Sequence, residues 1–206
     1  MNKNKYGKEV FRKMLHMLAL AGVIAWSHYY DDWRYSAVVF LLAVLILFPL
    51  VYLLSKIPGA SAFFNARKKG EFSYSMVALA IMYAIVCSVC WGFLGERLLA
   101  IACIVAWGPG DAAAALIGKA FGRHKIRKDK KKSLEGSMAM FLFSFLSVLI
   151  TLIVYDKYSL LATVIVSLIT AVASTLAELF DTRGYDTFYC PVAAMIVLFI
   201  GELILR

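Results

Sequence analysis

Y-S-A-V-V-F-L-L-A-V-L-I-L-F-P-L-V-Y-L-L, residues 35–54, is a run of twenty residues without a charged side chain. As a helix rising about 1.5 Å per residue, it is long enough to cross the roughly 30 Å hydrocarbon core of a bilayer. Backbone amides cannot be left unpaired in lipid, so such a segment is expected to be helical. Six further apolar stretches lie around it, at 14–29, 73–93, 98–118 with an interruption after 107, 137–155, 159–179 and 188–205. The pattern predicts an all-α, polytopic integral membrane protein of about seven transmembrane helices, forming one domain over residues 1–206. Composition agrees: 62% of the 206 residues are hydrophobic and only 17% are charged, too little polar surface to cover a water-soluble core.

The few charges are unevenly placed. Lysine and arginine number 22 against 13 acids, a net charge of +9. Eighteen of the 22 fall in the N-terminal segment and in the loops after spans two, four and six, leaving Arg34, Arg97, Lys157 and Arg206 on the other side. The positive-inside bias therefore predicts a cytoplasmic N-terminus and an outside C-terminus. The basic, then apolar, N-terminus is similar to a signal peptide. However, Ala19 and Ala21 lie within the apolar run and no cleavage-like polar region follows, so a retained first span is expected. The outer loops, such as Asp31-Asp32-Trp33-Arg34 and Asp156-Lys157, are too short to build a site, so polar chemistry is expected on the cytoplasmic face. A basic excess suits anionic lipid headgroups or a nucleoside polyphosphate, and with this much apolar sequence no nucleic-acid partner is expected. Cys87, Cys90, Cys103 and Cys190 all fall in apolar runs and read as small buried thiols rather than a redox or metal pair.

Span four carries the first chemical signal, Gly108-Pro109-Gly110-Asp111. Proline removes a backbone donor and the glycines loosen the dihedrals, so the helix is expected to end near Trp107 and restart with Asp111 as its N-cap. An ionisable side chain at membrane depth is a functional candidate by default. Asp111, Ala115, Gly118 and Gly122 recur at helical spacing on a face with almost no bulk, suited either to close helix packing or to a ligand approaching the backbone. The loop that follows, K-A-F-G-R-H-K-I-R-K-D-K-K-K-S-L-E-G-S, ends with Ser133-Leu134-Glu135-Gly136-Ser137. Lysines beside a carboxylate and a glycine suit a triphosphate carrying a divalent metal. Asp111 and Glu135 are expected to share that ion at the cytoplasmic boundary. Arg12, Lys13 and His16 begin span one one turn apart. Phe63-Phe64 with Arg67-Lys68-Lys69 suggests an interfacial amphipathic segment. Glu178, Asp181 and Asp186 surround the last loop on the same side, and Glu178 lies nearest to lipid depth.

W-G-P-G-D-A-A-A-A-L-I-G-K-A-F-G-R-H-K followed by K-K-S-L-E-G-S closely resembles the CTP-dependent lipid kinases, the family of dolichol/polyprenol kinase, phytol kinase and CTP-type diacylglycerol kinase. Arg12, Lys13 and His16 are similar to its first motif R-K-x-x-H, and R-K-K-G-E-F-S-Y, with Gly70, Glu71 and Tyr74, is similar to its second cytoplasmic loop. D-T-F-Y-C-P resembles an aspartate-asparagine segment before a proline, with Thr187 where asparagine is expected. The resemblance implies transfer of the γ-phosphoryl group of CTP to the hydroxyl of a membrane lipid, with Mg2+. It implies Asp111 and Glu135 as metal ligands, Asp111 alternatively accepting the hydroxyl proton, and Lys132 in catalysis. Arg12, Lys13, Lys125 and Ser133 would contact the nucleotide, with Gly118, Gly122 and Gly136 allowing close backbone approach. His16, Glu71, Glu178 and Asp186 are further candidates. The acceptor would be a polyprenol, a phytol-like isoprenoid alcohol or diacylglycerol, which apolar pockets discriminate weakly. Phosphatidate cytidylyltransferase has a similar K-K-x-x-E-G stretch but typically ends with H-G-G, which this sequence lacks. A small transporter or lipid-binding protein would share the interrupted helix and the intramembrane acids.

Overall fold

The computed structural model describes residues 3–54, 56, 71–126, 132–181 and 185–206, with residues 3–5, 8 and 71–74 described as backbone. The expected spans are all helices: α1 (Lys3–Tyr29), α2 (Trp33–Leu54), α3 (Glu71–Val86), α4 (Arg97–Ala120), α5 (Leu134–Val154), α6 (Leu160–Phe180) and α7 (Asp186–Leu205). α3 runs on through a π-helical segment, Cys87–Phe93. Seven helices are long and apolar enough to cross a membrane. The outward faces carry Leu45, Ile46, Leu53 and many similar side chains in the open, a surface for lipid rather than for water. The amphipathic reading of Phe63, Phe64, Arg67, Lys68, Lys69 and Gly70 falls outside the described residues. So do the cations Arg127, Lys128, Lys130, Lys131 and Arg183.

α4 is the axis of the bundle. Its residues from Leu98 to Ala114 are buried almost without interruption, and it packs against α5 most extensively, then against α7 and α1. Small residues allow this, because without bulky side chains neighbouring backbones approach closely. A Cβ on Gly110 would lie 2.6 Å from both Met140 Sδ and Ser144 Oγ of α5, and one on Gly108 would lie 2.1 Å from Leu20 Cδ1 of α1.

The expected break in span four does not occur. α4 is one continuous helix with Pro109 inside it, and Asp111 is an interior residue rather than an N-cap. Pro109 has no N–H to give to the preceding turn, and its ring crowds that turn. The carbonyl of Ala106 accepts the hydroxyl of Ser144 from α5 and that of Ser174 from α6, the latter at 3.3 Å. Serine hydroxyls from neighbouring helices thus satisfy backbone loosened by the proline. The sequence around Pro109 signals a break; the compensating serines lie 35 and 65 residues further on.

All four cysteines are buried and free, as expected. Cys90 and Cys103 Sγ are 3.9 Å apart. Beside them the π-helical segment widens where Gly92 meets the Trp33 ring, which a Cβ would approach to 2.7 Å. At the end of the bundle opposite the N-terminus, short loops nonetheless assemble a polar cluster around the buried Glu202. Lys157 bridges Glu96 at 2.7 Å and Glu202 at 3.1 Å, and the Tyr158 hydroxyl donates to Glu202 at 2.6 Å. Burial, then the Glu202 carboxylate, push the Tyr158 phenol well above its ordinary value. This cluster ties the α3–α4 turn, the α5–α6 turn and the end of α7 together.

Candidate functional site

Glu9, Arg12, Lys13 and His16 follow one another at helical spacing along α1, so they share the face that α1 turns toward α4. Glu9 is buried and meets Arg12 from its own helix at 2.7 Å and Lys119 from the end of α4 at 2.7 Å. One turn further in, the Lys13 ammonium donates to Asp111 Oδ2. Both residues of this pair are buried, with 4% and 7% of their surface exposed. His16 Nε2 stands 4.0 Å from the same carboxylate oxygen, and the His16 ring meets Trp107 edge to face, with centroids 4.6 Å apart. Trp107 and Asp111 are four residues apart and present one face of α4 to α1.

Two other helices close on the same place. Asp186 begins α7 and lies within electrostatic range of Asp111, Lys13 and Lys132. Its side chain accepts the Thr187 amide at 2.9 Å. Lys132 comes from the loop before α5 and is anchored on the end of α6, donating to the Glu178 carboxylate and, at 2.9 Å, to the Glu178 carbonyl. Glu178 is buried. Among the described residues, Arg12, Lys13, Lys119 and Lys132 thus meet Glu9, Asp111, Glu178 and Asp186 between these helices. Unpaired charge is expensive at such depth, which is the reason the cations come with partners.

Beyond the end of α4 the chain forms a narrow hairpin before entering α5. Lys125 and Ser133 make an isolated antiparallel bridge, with Ile126 N donating to Lys132 O at 3.2 Å and Leu134 N to His124 O at 2.9 Å. Glu135 fastens its base. Oε1 accepts the Arg123 amide at 3.0 Å and the His124 amide at 3.2 Å, and lies 2.9 Å from His124 Nδ1. Ser133 caps α5 by accepting the Gly136 amide at 3.2 Å. Arg123, His124 and Lys125 remain exposed.

These contacts divide the sequence candidates into three groups. Lys13, His16, Asp111 and Asp186 come together between α1, α4 and α7, with Arg12 beside them on Glu9 and Lys132 beside them on Glu178. Glu135 and Lys125 belong to the hairpin. Asp111 and Glu135 do not share a point: Asp111 lies about 14 Å before the end of α4 along the helix axis, whereas Glu135 binds amides beyond that end. The carboxylate that accompanies Asp111 is Asp186. Among the described residues there is no cluster of three or more His, Cys, Asp or Glu arranged as a metal cage.

The third group is the seam between α4 and α5. A Cβ on Gly122 would fall 2.1 Å from the Gly118 carbonyl and 2.5 Å from Ser133 Oγ. One on Gly118 would meet Ser133 Oγ at 3.2 Å, and one on Gly136 would meet the Ala114 carbonyl at 3.0 Å. Protein atoms fill the space beside each of these three glycines, so their lack of a side chain serves helix and hairpin packing rather than a ligand's approach. The Glu71 backbone opens α3; its side chain lies outside what is described. Sequence reasoning passed over Glu9, Lys119 and Trp107. Glu9 precedes Arg12, Lys13 and His16 by three, four and seven residues, so helical periodicity carried its signal. Lys119 was absorbed in the basic loop and Trp107 in an apolar run.

Residues 2–182 match the Cytidylyltransferase family. The chain is 30% identical over 202 residues to a phytol kinase of Synechocystis sp., an alignment covering 94% of this chain and 80% of that relative. No solved structure matches.

Proposed function

The chain belongs to the Cytidylyltransferase family, and from that membership and the site between α1, α4 and α7 we propose that it is a CTP-dependent lipid kinase. Its acceptor is a membrane lipid alcohol, an isoprenoid alcohol of the phytol kind foremost, since the relative bears that name. The supporting observation is the buried Lys13–Asp111 pair with Asp186 and His16 around it. It lies within the Arg12-Lys13…His16 and Gly110-Asp111…Gly118 segments that carry the resemblance to lipid kinases. On this reading the basic end of the bundle faces the cytoplasm, where CTP is found.

Phosphoryl transfer asks the protein for position and charge rather than covalent help. The acceptor oxygen forms a bond to the γ-phosphorus, the bond from that phosphorus to the β–γ bridging oxygen breaks, and CDP leaves. The hydroxyl proton passes to a neighbouring carboxylate, Asp111 or Asp186. Asp111 and Asp186 are the residues that would hold Mg2+, an ion commonly held by one or two carboxylates together with substrate phosphates. When bound, the ion neutralises phosphate oxygens as charge moves to the leaving diphosphate. Lys13, beside Asp111, and Arg12, one turn away on Glu9, are the cations that would contact phosphate. Lys125, exposed on the hairpin, and Lys132 approach from the nucleotide side. Glu135 holds that hairpin in place.

The family's own description favours a second reading, in which CTP gives its cytidylyl group to a phospholipid and pyrophosphate leaves. Purified protein with γ-labelled CTP, α-labelled CTP and a panel of phytol, polyprenol, diacylglycerol and phosphatidate separates the two. Label reaching an alcohol from the γ position alone is the expected result. Label reaching lipid from the α position refutes the kinase reading.

A further inference from the structure

Two buried nitrogen atoms beside Asp111 find no hydrogen-bond partner among the described residues: the indole Nε1 of Trp107 and Nε2 of His16. Buried polar groups in folded proteins are almost always paired, and an unpaired one loses its interactions with water for nothing in return. Lipid offers no substitute partner, so the penalty is no smaller at membrane depth. The two orphans are neighbours. Their rings touch edge to face at 4.6 Å, and they belong to the facing surfaces of α1 and α4. Trp107 is fully buried, whereas the His16 side chain keeps 26% of its surface accessible, so the place is reached from the α1 side.

We infer that Trp107 and His16 form the seat of the acceptor's hydroxyl group; this rests on the lipid-kinase reading and extends it to a substrate site. A single hydroxyl on an apolar chain satisfies both nitrogen atoms at once. Before transfer the indole N–H donates to the hydroxyl oxygen and the hydroxyl hydrogen is donated to His16 Nε2, 4.0 Å from the Asp111 carboxylate that can take the proton on transfer. The place is polar on the side of Asp111 and apolar on the other, which suits a group that is a hydroxyl at one end and hydrocarbon at the other. Leu20, Val23 and Ile104 belong to the same buried cluster as Trp107, which suits a hydrocarbon chain leading away from the hydroxyl. Depth fits as well. Trp107 lies one helical turn, about 6 Å, further from the hairpin than Asp111 does. A lipid hydroxyl thus waits on the membrane side of Asp111, and a nucleotide held by Lys125 and Lys132 arrives from the other. The chain has a way in: α1 is held chiefly by α4 and touches α2 only slightly, so the flank of α1 beside His16 is the part of the bundle a lipid can most easily part.

The test compares an isoprenoid alcohol with the hydrocarbon of the same skeleton lacking the hydroxyl. Thermal stabilisation of the detergent-solubilised protein is titrated with each, alongside γ-phosphoryl transfer. Wild-type protein is expected to prefer the alcohol by about tenfold or more, the discrimination typical of a site built to hydrogen-bond a hydroxyl. Trp107→Phe and His16→Phe keep an aromatic ring but remove the nitrogen atoms. In each the preference falls toward unity, and KM for the alcohol rises while KM for CTP stays within about twofold. Packing damage alone moves both ligands together and leaves the preference intact, and that result overturns the proposed seat. Alcohol preference that depends on Trp107 without any γ-phosphoryl transfer refutes the kinase reading and leaves the seat standing. Transfer with a preference indifferent to both substitutions does the reverse.

Discussion

Lys13→Met keeps most of the side-chain volume and removes the ammonium that Asp111 accepts from. The pair is 4% and 7% exposed, so neither charge recovers hydration when its partner is lost. Breaking a buried pair from one side destabilises by about 3–5 kcal/mol, because the remaining charge is uncompensated. The surroundings make the two sides unequal. Asp111→Asn leaves Lys13 with Asp186 still in electrostatic range, a substitute anion that softens the loss. Lys13→Met leaves Asp111 and Asp186 facing one another without the cation they share, so it is expected to be the worse of the two. The double variant Lys13→Met/Asp111→Asn removes both charges of the pair and is expected to cost no more than about 2 kcal/mol, the scale of an ordinary lost hydrogen bond. That leaves a coupling energy of about 2 kcal/mol or more, large for a contacting pair. Unfolding of detergent-solubilised protein by added SDS, followed by circular dichroism, reads all four corners of the cycle. All three variants are expected to be inactive in γ-phosphoryl transfer, so stability and activity separate in the double variant alone. A double variant as unstable as the sum of the singles refutes the pairing and, with it, the claim that α1 is fastened to α4 through this charge.

Glu135→Gln keeps the size of the hairpin fastener but weakens its acceptance of the Arg123 and His124 amides. It is expected to raise KM for CTP several-fold, with KM for the alcohol unchanged, whereas a metal-ligand role predicts a collapse in kcat instead. Gly122→Ala places a methyl group 2.1 Å from the Gly118 carbonyl, so the turn out of α4 must shift. Limited proteolysis is expected to cut this variant faster within residues 121–133 than wild type. Lys157→Met strands Glu202, which is 2% exposed, at the opposite end of the bundle. It is expected to lower stability by about 3–5 kcal/mol while leaving the kinetics of the folded fraction unchanged.

The membrane fold was legible because its signal is local. An uncharged run such as residues 35–54 admits one structure in lipid, and the expected spans reappear within about three residues of their bounds, except that α1 begins well before the expected start, at Lys3. What sequence could not supply was any contact between distant residues. The break expected at Gly108-Pro109-Gly110 is a correct inference from local rules, and it fails because Ser144 and Ser174 supply hydroxyls to the loosened turn. Asp111 and Glu135 looked like partners because both are acids flanking one basic loop. The last turns of α4 lie between them, since Glu135 binds the Arg123 amide beyond its end, and α7 brings in Asp186 instead. The glycines invited two readings, and only the position of α5 decides for packing. Trp107 carries no signal in sequence, since an orphaned indole N–H is a property of its neighbours.

Among the described residues, the cations at the proposed site stand on carboxylates: Lys13 on Asp111, Arg12 and Lys119 on Glu9, Lys132 on Glu178, because a bare ammonium at the depth of Lys13 would be unstable. The hairpin and the neighbouring loops, where water screens charge, can carry the surplus of positive charge. It follows that a polyphosphate is first drawn to the hairpin and is bound deeper only by exchange: each phosphate oxygen that takes Lys13 or Arg12 must leave Asp111 or Glu9 with another positive partner. On the proposed reading Asp111 and Asp186 would find that partner in a divalent cation bound with the phosphates, and Lys119 already stands on Glu9 at 2.7 Å. On the proposed reading, nucleotide without a divalent ion should therefore reach the hairpin but not the Lys13–Asp111 pair. A metal requirement of that kind would arise from the charge balance of a site inside a membrane as much as from the transfer itself, and binding of CTP with and without Mg2+ to wild type and Lys13→Met tests it.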